Sequence, residues 1–336
     1  MTGIDLPFVF LVLMALAILA YVVLDGFDLG VGIVLPLAPR HDHDIMVASI
    51  GPFWDANETW LVMGVGILLV AFPQAHGVIL QALYIPVALM LTALIVRGVA
   101  YEFRTKAAGW HKELWNGLFS AGSLGMAIAQ GYMLSLMITG FEGGAWRVAF
   151  GLLVGLGLAG GYALLGATWL ALKMEGERQA RALRWSRAAV ILTALGVAAI
   201  SLATPFASPR ILEKWFAWPQ MIVLSPLPLL TVAALAGIWR WTGLLQRGLT
   251  RREWMPFVLS VWIFVFAFAG LGYSLYPYLV VDTLTYREAA ADDASLAFVL
   301  VGALIVLPFI LGYTVFSYRV FWGKAKELSY GGDIPE

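Results

Sequence analysis

The chain has 336 residues, of which 61% are hydrophobic and 12% are charged. Its formal net charge is zero, which gives no electrostatic support for nucleic-acid binding. It contains no cysteine, which excludes disulfides, thiolate zinc sites and cysteine-ligated iron–sulfur clusters. A bilayer accepts this much apolar surface and a soluble domain cannot hide it, so we expect an all-α polytopic membrane protein.

Hydropathy predicts nine transmembrane helices joined by short linkers, which indicates one compact membrane domain. The spans fall at about residues 6–35, 48–72, 75–103, 113–139, 145–172, 187–205, 219–245, 254–279 and 293–320. The longest breaks are the basic stretch Lys173–Arg187 and the loops Pro205–Pro219 and Val280–Asp292.

Lysine and arginine are distributed unevenly between the two sides of these spans. Most of the 21 basic residues follow odd-numbered spans, whereas those that follow even-numbered spans are Arg147, Arg210, Lys214 and Arg287. By the positive-inside rule, we expect a periplasmic N-terminus and a cytoplasmic C-terminus.

The first three spans bring ionisable side chains to one predicted depth, in their cytoplasmic halves. These residues are Asp25, Asp28, Asp55, Glu58 and Arg97. Tyr21, Asp25 and Asp28 lie on one stripe of the first span because they are four and three residues apart. An ionisable side chain at the centre of a bilayer costs ~2.5–3.5 kcal/mol, and such residues usually mark an ion or proton path.

Two interpretations of this acidic cluster are open. In the functional one, the hydrated acids form a proton inlet from the cytoplasm. In the structural one, Arg97 bridges one or two acids while the others reach the interface or cap helix ends. The structural interpretation is favoured for Glu102, which lies near the predicted interface.

Glycine-rich stripes predict close helix packing in the membrane. Gly26, Gly30 and Gly32 surround the acids of the first span. Gly157 and Gly161 form a similar stripe in the fifth span.

The residues around the acids resemble subunit II of the cytochrome bd family of quinol oxidases, including its cyanide-insensitive branch. The matching stretches are Asp25-Gly-Phe-Asp-Leu-Gly-Val-Gly32, Gly51-Pro-Phe-Trp-Asp-Ala-Asn-Glu-Thr-Trp-Leu61, Phe72-Pro73 and Tyr318-Arg-Val-Phe321. The nine-span plan covers essentially the whole chain.

The resemblance implies two four-helix bundles, over residues 1–140 and 141–282, and a peripheral ninth helix with a cytoplasmic tail over 283–336. It implies a complex in a bacterial inner membrane in which subunit I carries haem b and haem d and oxidises ubiquinol. This chain would hold no haem and would not catalyse alone. Membrane lipids, a structural quinone, an oxygen path and a small single-span accessory subunit are further features found in the family.

Carried over residue by residue, the resemblance implies proton-path positions at Asp25, Asp28, Asp55 and Arg97. Glu58 belongs to the same motif, as do Trp54, Asn57 and Trp60, and Trp60 resembles a position near a proposed oxygen channel. For Trp60 we also keep a packing role as the alternative. No catalytic, cofactor-binding or metal-binding residue is expected in this chain.

The histidines independently favour a haem-free subunit, because haem usually needs an axial histidine from a membrane helix. The four in the sequence are His41, His43, His76 and His111. All are predicted in connecting segments or at an interface. The run His41–Asp44 is expected to be a solvated turn in which Asp44 caps the next helix.

One further sequence pattern and two alternative functions compete with this interpretation. Gly155–Gly160 spells a dinucleotide-binding fingerprint but lies in an apolar span with no strand before it. A proton-coupled secondary transporter is the alternative function, since unpaired acids at one depth suit it, although an odd number of spans argues against inverted repeats. A scaffold subunit without a proton role is the third reading.

Overall fold

The structure, a computed structural model, describes residues 5–325, and most of them are helical. The helices in this part of the chain are α1 Leu6–Val34, α2 His43–Ala48, α3 Trp54–Ala71, α4 Pro73–Ala82, α5 Tyr84–Arg104, α6 Trp110–Ile138, α7 Ala145–Lys173, α8 Gly176–Ala207, α9 Pro209–Phe216, α10 Gln220–Leu224, α11 Pro226–Gln246, α12 Met255–Leu275 and α13 Asp293–Val320. Two short antiparallel strands, β1 Tyr278–Val280 and β2 Leu284–Thr285, form a small hairpin that hydropathy did not predict.

Capping side chains fix where the first and last long helices begin. The Asp5 carboxylate accepts a hydrogen bond from the backbone N–H of Phe8, and Pro7 occupies the first turn of α1. Asp292 accepts from the backbone N–H groups of Ala294 and Ser295 at the start of α13. Both helix starts therefore lie within a residue or two of the predicted span boundaries.

Helix α1 lies at the centre of the molecule, where it packs against α3, α6 and α7. Helix α5 packs on α6, and α7 packs on α6 and α8. Helices α11 and α12 pack on each other and on α8 and α7, respectively. Helix α13 makes few contacts with the rest of the described chain, and Leu296 and Ser317 are its buried residues.

Eight helical segments within residues 5–325 are long and apolar enough to cross a membrane. They correspond to the first predicted span and to the third through the ninth. Helix α3, at the second predicted span, is not among the eight. It has 18 residues, and its first turns contain Asp55, Asn57 and Glu58, which lower its mean hydropathy.

Several boundaries differ from the prediction. Helix α8 begins at Gly176, so most of the basic stretch predicted as a break is helical. The third predicted span is two helices, α4 and α5, separated at Leu83, and the seventh is interrupted at Ser225. Hydropathy averages over such one-residue interruptions, because the residues on both sides are apolar.

The expectation of a solvated turn at His41–Asp44 is wrong for two of its residues. Asp42 and His43 are buried. Arg178 and Arg181 of α8 both donate hydrogen bonds to the Asp42 carboxylate. Burial raises the pKa of Asp42, but the hydrogen bond from Arg178 and the charge of Arg181 outweigh burial and hold that pKa below its ordinary value.

Asp44 does not cap the following helix. It forms ion pairs with Arg104 at 2.8 Å and with Lys112 at 2.6 Å. Arg104 also donates to the Asn116 side chain at 2.8 Å, and Asn116 contacts the His43 ring at 3.1 Å. The turn after α1 is thus tied to α5, α6 and α8 by ionic contacts that local sequence does not reveal. We call this end of the helices, where Arg104, Lys112, Arg178 and Arg181 lie, the basic end.

The tightest helix crossing joins α1 to α7 at Gly30 and Gly166. A Cβ atom added to Gly30 would lie 1.8 Å from the carbonyl oxygen of Tyr162, and one added to Gly166 would lie 2.2 Å from the carbonyl carbon of Gly30. Only glycine permits this backbone contact. Gly157 and Gly161 also face neighbouring side chains, as the sequence predicted.

We expect Gly30→Ala to destabilise the protein by about 1–3 kcal/mol, because the added methyl group must push α1 away from α7. Gly117→Ala is a matched control, since an added Cβ there meets no atom within 4 Å. The measurement is the thermal unfolding of the detergent-purified protein. Equal melting temperatures for the two variants would contradict the close crossing.

Candidate functional site

Arg97 of α5 lies between two carboxylates from other helices. Its Nη1 atom donates to Asp25 Oδ1 of α1 at 2.9 Å and to Glu58 Oε1 of α3 at 2.6 Å. The side chains of Arg97 and Asp25 are fully buried, whereas that of Glu58 is 18% exposed. We call these three residues the arginine group. It joins the first, second and third predicted spans, as the sequence indicated.

A second polar group lies one turn along α1. Asn57 Nδ2 donates to Asp28 Oδ2 at 2.8 Å and to the backbone oxygen of Leu24 at 3.3 Å. The hydroxyl of Tyr318, on the otherwise loosely packed α13, donates to Asn57 Oδ1 at 3.1 Å. We call Asp28, Asn57 and Tyr318 the asparagine group. The Asn57 amide orients the Asp28 carboxyl and links it to α13.

Three further polar side chains continue from the arginine group away from the basic end. Tyr21 lies one turn before Asp25, about 6 Å along α1, and interacts with its carboxyl. Gln130 of α6 donates to the Tyr21 hydroxyl at 2.7 Å, and the Tyr162 hydroxyl of α7 donates to Gln130 at 2.6 Å. Hydrogen bonds therefore join Tyr21, Gln130 and Tyr162, and a series of neighbouring polar side chains runs from partly exposed Glu58 to fully buried Tyr162.

Aromatic rings enclose the arginine group. The guanidinium carbon of Arg97 lies 6.0 Å from the ring centres of both Trp54 and Phe119, at the outer range of a cation–π contact. Trp54 also packs on Tyr101, with ring centres 4.6 Å apart. Trp60 is buried and packs among Ala17 and Tyr21 of α1. Both tryptophans of the motif therefore pack against the site.

Asp55 is not hydrogen-bonded to Arg97. It is exposed in the isolated chain and lies one turn before Glu58, close enough for electrostatic repulsion between the two carboxylates. Glu102 is also exposed. Helix periodicity predicted that Asp55 and Glu58 share one face of α3. Residues on one face still differ in direction, and here only Glu58 points toward Arg97.

The buried charges do not balance. Asp25, Asp28 and Glu58 face a single cation, Arg97, and Asp55 adds a fourth carboxyl nearby. Four buried polar atoms of this site have no hydrogen-bond partner among the described residues: Asp25 Oδ2, Asp28 Oδ1, Arg97 Nε and Arg97 Nη2. Uncompensated carboxylates are costly in a buried site, so the surplus carboxyls must be protonated or hydrated.

Sequence reasoning missed Gln130, Tyr162 and Tyr318 as site residues. A mid-span glutamine is itself a signal, because polar side chains inside membrane helices need partners. The two tyrosines gave no such signal, since tyrosine is common at membrane interfaces. Their roles depend on which helices lie side by side.

The described part of the chain has no group of three or more histidine, aspartate or glutamate side chains placed to hold a metal ion. His43 contacts the backbone oxygen of Ala38 and the side chain of Asn116, so both of its ring nitrogens are engaged. His41 and His111 are exposed, and His76 is partly exposed on α4. The chemistry that this site offers is therefore that of carboxyl, amide and phenol groups.

Comparisons with known proteins give one consistent result. The family model described as "Cytochrome bd terminal oxidase subunit II" matches residues 6–321. The chain is 27% identical over 333 residues to cytochrome bd ubiquinol oxidase subunit 2 of Bacillus subtilis (strain 168), covering 92% of this chain and 94% of that protein. It is 24% identical over 366 residues to cytochrome bd-I ubiquinol oxidase subunit 2 of Escherichia coli (strain K12), covering 96% of each.

A solved structure shares the fold. A chain from the structure of bd oxidase from Geobacillus thermodenitrificans matches with a TM-score of 0.78, covering 95% of this chain and 99% of that chain. The sequences are 16% identical in this alignment, so the likeness concerns the fold alone.

Removing the cation shared by Asp25 and Glu58 is a direct test of the arginine group. We expect Arg97→Gln to destabilise the protein by about 3–5 kcal/mol, because two carboxyls lose their buried partner. Arg184→Gln, at an exposed position on α8, is the control and should leave the melting temperature unchanged. A melting temperature for Arg97→Gln equal to that of the control would show that the pairing is unimportant.

Proposed function

Because the chain belongs to the cytochrome bd terminal oxidase subunit II family, we propose that it is the supporting subunit of a quinol-oxidising respiratory enzyme and that its buried carboxyls deliver protons. Its relatives are subunits of ubiquinol oxidases, which are oxidoreductases. The complex would oxidise quinol and reduce dioxygen to water, a reaction that consumes protons. No observation favours the secondary transporter.

A subunit II implies a subunit I as its partner in the membrane. We propose that the partner holds the b and d haems and the quinol-oxidising loop, and that this chain does not catalyse alone. The chemistry of the residues supports this division, since carboxyl, amide and phenol groups move protons but do not carry electrons between quinol and oxygen. The haems would supply the redox chemistry, and this chain's residues would hold and pass protons.

The observation that carries the proton path is the excess of buried carboxyls over Arg97, together with the unpartnered oxygens of Asp25 and Asp28. A fully satisfied ion pair would have no capacity for another proton. Glu58 is partly exposed and can exchange protons with water or with the partner, and it shares Arg97 with buried Asp25. Tyr21, Gln130 and Tyr162 extend hydrogen bonding further inward.

Within this path each residue has a proposed role. Glu58 receives the proton, Asp25 passes it inward, and Asp28, held by Asn57, stores a second proton. Arg97 limits how many protons the group holds, because its charge favours the ionised carboxyls. Asp55 lies outside the hydrogen-bonded group and faces outward, so we propose that it attracts protons toward Glu58. Trp60 is proposed as a packing residue.

We also propose the membrane arrangement. Helix α3 would be the ninth crossing, since it packs against α1 and turns Asn57 and most of Glu58 inward. The crossings would form two four-helix bundles with α13 at the periphery. The concentration of arginine and lysine at the basic end supports a cytoplasmic location for that end in a bacterial inner membrane.

We expect Asp25→Asn to slow quinol-driven oxygen consumption of the assembled complex by about tenfold or more, because a neutral amide cannot pass a proton. The control is Glu102→Gln, which removes an exposed carboxyl from the end of α5 that also holds Arg97. This variant should leave the rate unchanged. The measurements are oxygen uptake per assembled complex and copurification of the partner subunit. Full activity in a fully assembled Asp25→Asn complex would refute the proton path without affecting the family assignment.

The orientation can be tested because the chain has no natural cysteine. Lys106→Cys lies between α5 and α6, and Gly143→Cys lies between α6 and α7 at the opposite end; both positions are exposed. In intact spheroplasts, a membrane-impermeant maleimide should label Gly143→Cys and should label Lys106→Cys only after permeabilisation. The reverse pattern would invert the proposed topology.

A further inference from the structure

A cavity of ≈210 Å³ lies at the basic end, and Tyr318 of the asparagine group is among its lining residues. It is formed by the end of α7, the residue Glu253 before α12 and the segment that follows α13. Trp169, Lys173, Trp322 and Lys324 are among its lining residues. The volume is large enough for a small polar group together with several water molecules.

Lys324 is fully occupied by protein acceptors. Its ammonium donates to the backbone oxygens of Leu172 and Met174, both at 3.0 Å, and to the Glu253 carboxylate at 2.5 Å. An ammonium has three N–H groups, so this lysine has none left for a ligand. Its charge is balanced by Glu253.

Lys173 is only partly satisfied. It is 5% exposed, and its ammonium donates to the backbone oxygens of Phe321 at 2.8 Å and Gly323 at 3.1 Å. Both acceptors are neutral, and no carboxylate of residues 5–325 lies within ion-pair distance of this ammonium. Among the described residues, one N–H group therefore has no acceptor and the positive charge has no anionic partner, which is costly in a buried position unless an anion binds.

Aromatic rings compensate this charge only in part, through cation–π contacts with Trp169 and Phe53. The Lys173 ammonium lies 4.8 Å from the ring centre of Trp169. The indole N–H of Trp169 is buried and has no acceptor among the residues that the structure describes. Lys173 is thus the lining residue with a donor left for a ligand, since the buried indole N–H of Trp169 is not open to the cavity and Glu253 already pairs with Lys324. The lining as a whole has one excess positive charge.

The position of the cavity indicates where an anion would come from. Trp322, which lines the cavity, and Trp254, which follows the lining residue Glu253, are both exposed. Exposed tryptophans mark the level of lipid headgroups. Above them, α13 presents exposed apolar side chains such as Phe309 and Phe316 along its length. A lipid whose phosphate enters the cavity could lay its acyl chains along this surface.

We propose that this cavity binds the phosphate of an anionic phospholipid, with Lys173 as its cation. Basic pockets between membrane helices on the cytoplasmic side are known to hold such headgroups. The bound lipid would connect the end of α7 to the segment after α13, which Lys173 and Lys324 already join. The peripheral helix, which has few other contacts, would then be stabilised by lipid. This inference does not depend on the proton path.

The test uses the assembled complex in detergent and a photoactivatable phosphatidylglycerol, followed by peptide mapping. We expect labelling of the segments around Trp169–Lys173 and Phe321–Ala325. Lys173→Gln should reduce it by about fivefold, as expected for loss of one basic contact. Lys173→Arg should retain it, and Arg247→Gln, at an exposed position of the same end, should have no effect.

Competition separates the sources of phosphate. Unlabelled phosphatidylglycerol should displace the probe, and phosphatidylethanolamine should do so poorly. Displacement by inorganic phosphate at equal concentration would show a free-anion site and overturn the lipid assignment. Unlabelled segments in the native complex, or equal labelling of Lys173→Gln with normal copurification of the partner subunit, would overturn the proposal.

Discussion

The site depends on one cation buried among carboxyls in an apolar bundle. Arg97 is the only basic residue that contacts Asp25 and Glu58 in the part of the chain described here. If every acid were paired, the cluster would be a static ion-pair network. Because acids outnumber the arginine, the surplus carboxyls must be protonated or hydrated. The excess of carboxyls therefore determines both the free-energy cost of burying the cluster and the number of protons that it can hold.

The position of α1 makes that arrangement possible. Gly30 lets α1 touch the backbone of α7, and from Asp25 to Gly32 every residue of α1 is buried. A helix held this deeply cannot turn its acids toward lipid or solvent. Asp25 is thereby directed at α5 and Asp28 at α3, so tight packing and buried charge depend on each other. Gly166 lies outside the site but is also needed for its geometry, because it is the partner of Gly30 in the crossing of α1 and α7.

Much of the site was predictable because the chemistry is local in sequence. The stripe of Tyr21, Asp25 and Asp28 follows from helix periodicity, and the approach of Arg97 follows from antiparallel spans that alternate in direction. The outward position of Asp55 was not predictable. Periodicity gives the face of a helix, but the rotation of α3 against α1 and α5 decides which carboxyl on that face meets the arginine. The contact of Tyr318 with Asn57 was also not predictable, since 261 residues separate the two.

By itself, the sequence determined that this is a multi-span helical membrane protein, that acids lie within its first spans, and which family it resembles. These properties depend on composition, on spacing within single helices and on contiguous motifs. Only the tertiary structure decided that Glu58, and not Asp55, pairs with Arg97, that Gln130 and Tyr162 extend the polar series, and that Asp42 is buried against α8. Each of these is a contact between helices distant in sequence, and its energy depends on the rotation and depth of both helices, which no local pattern encodes.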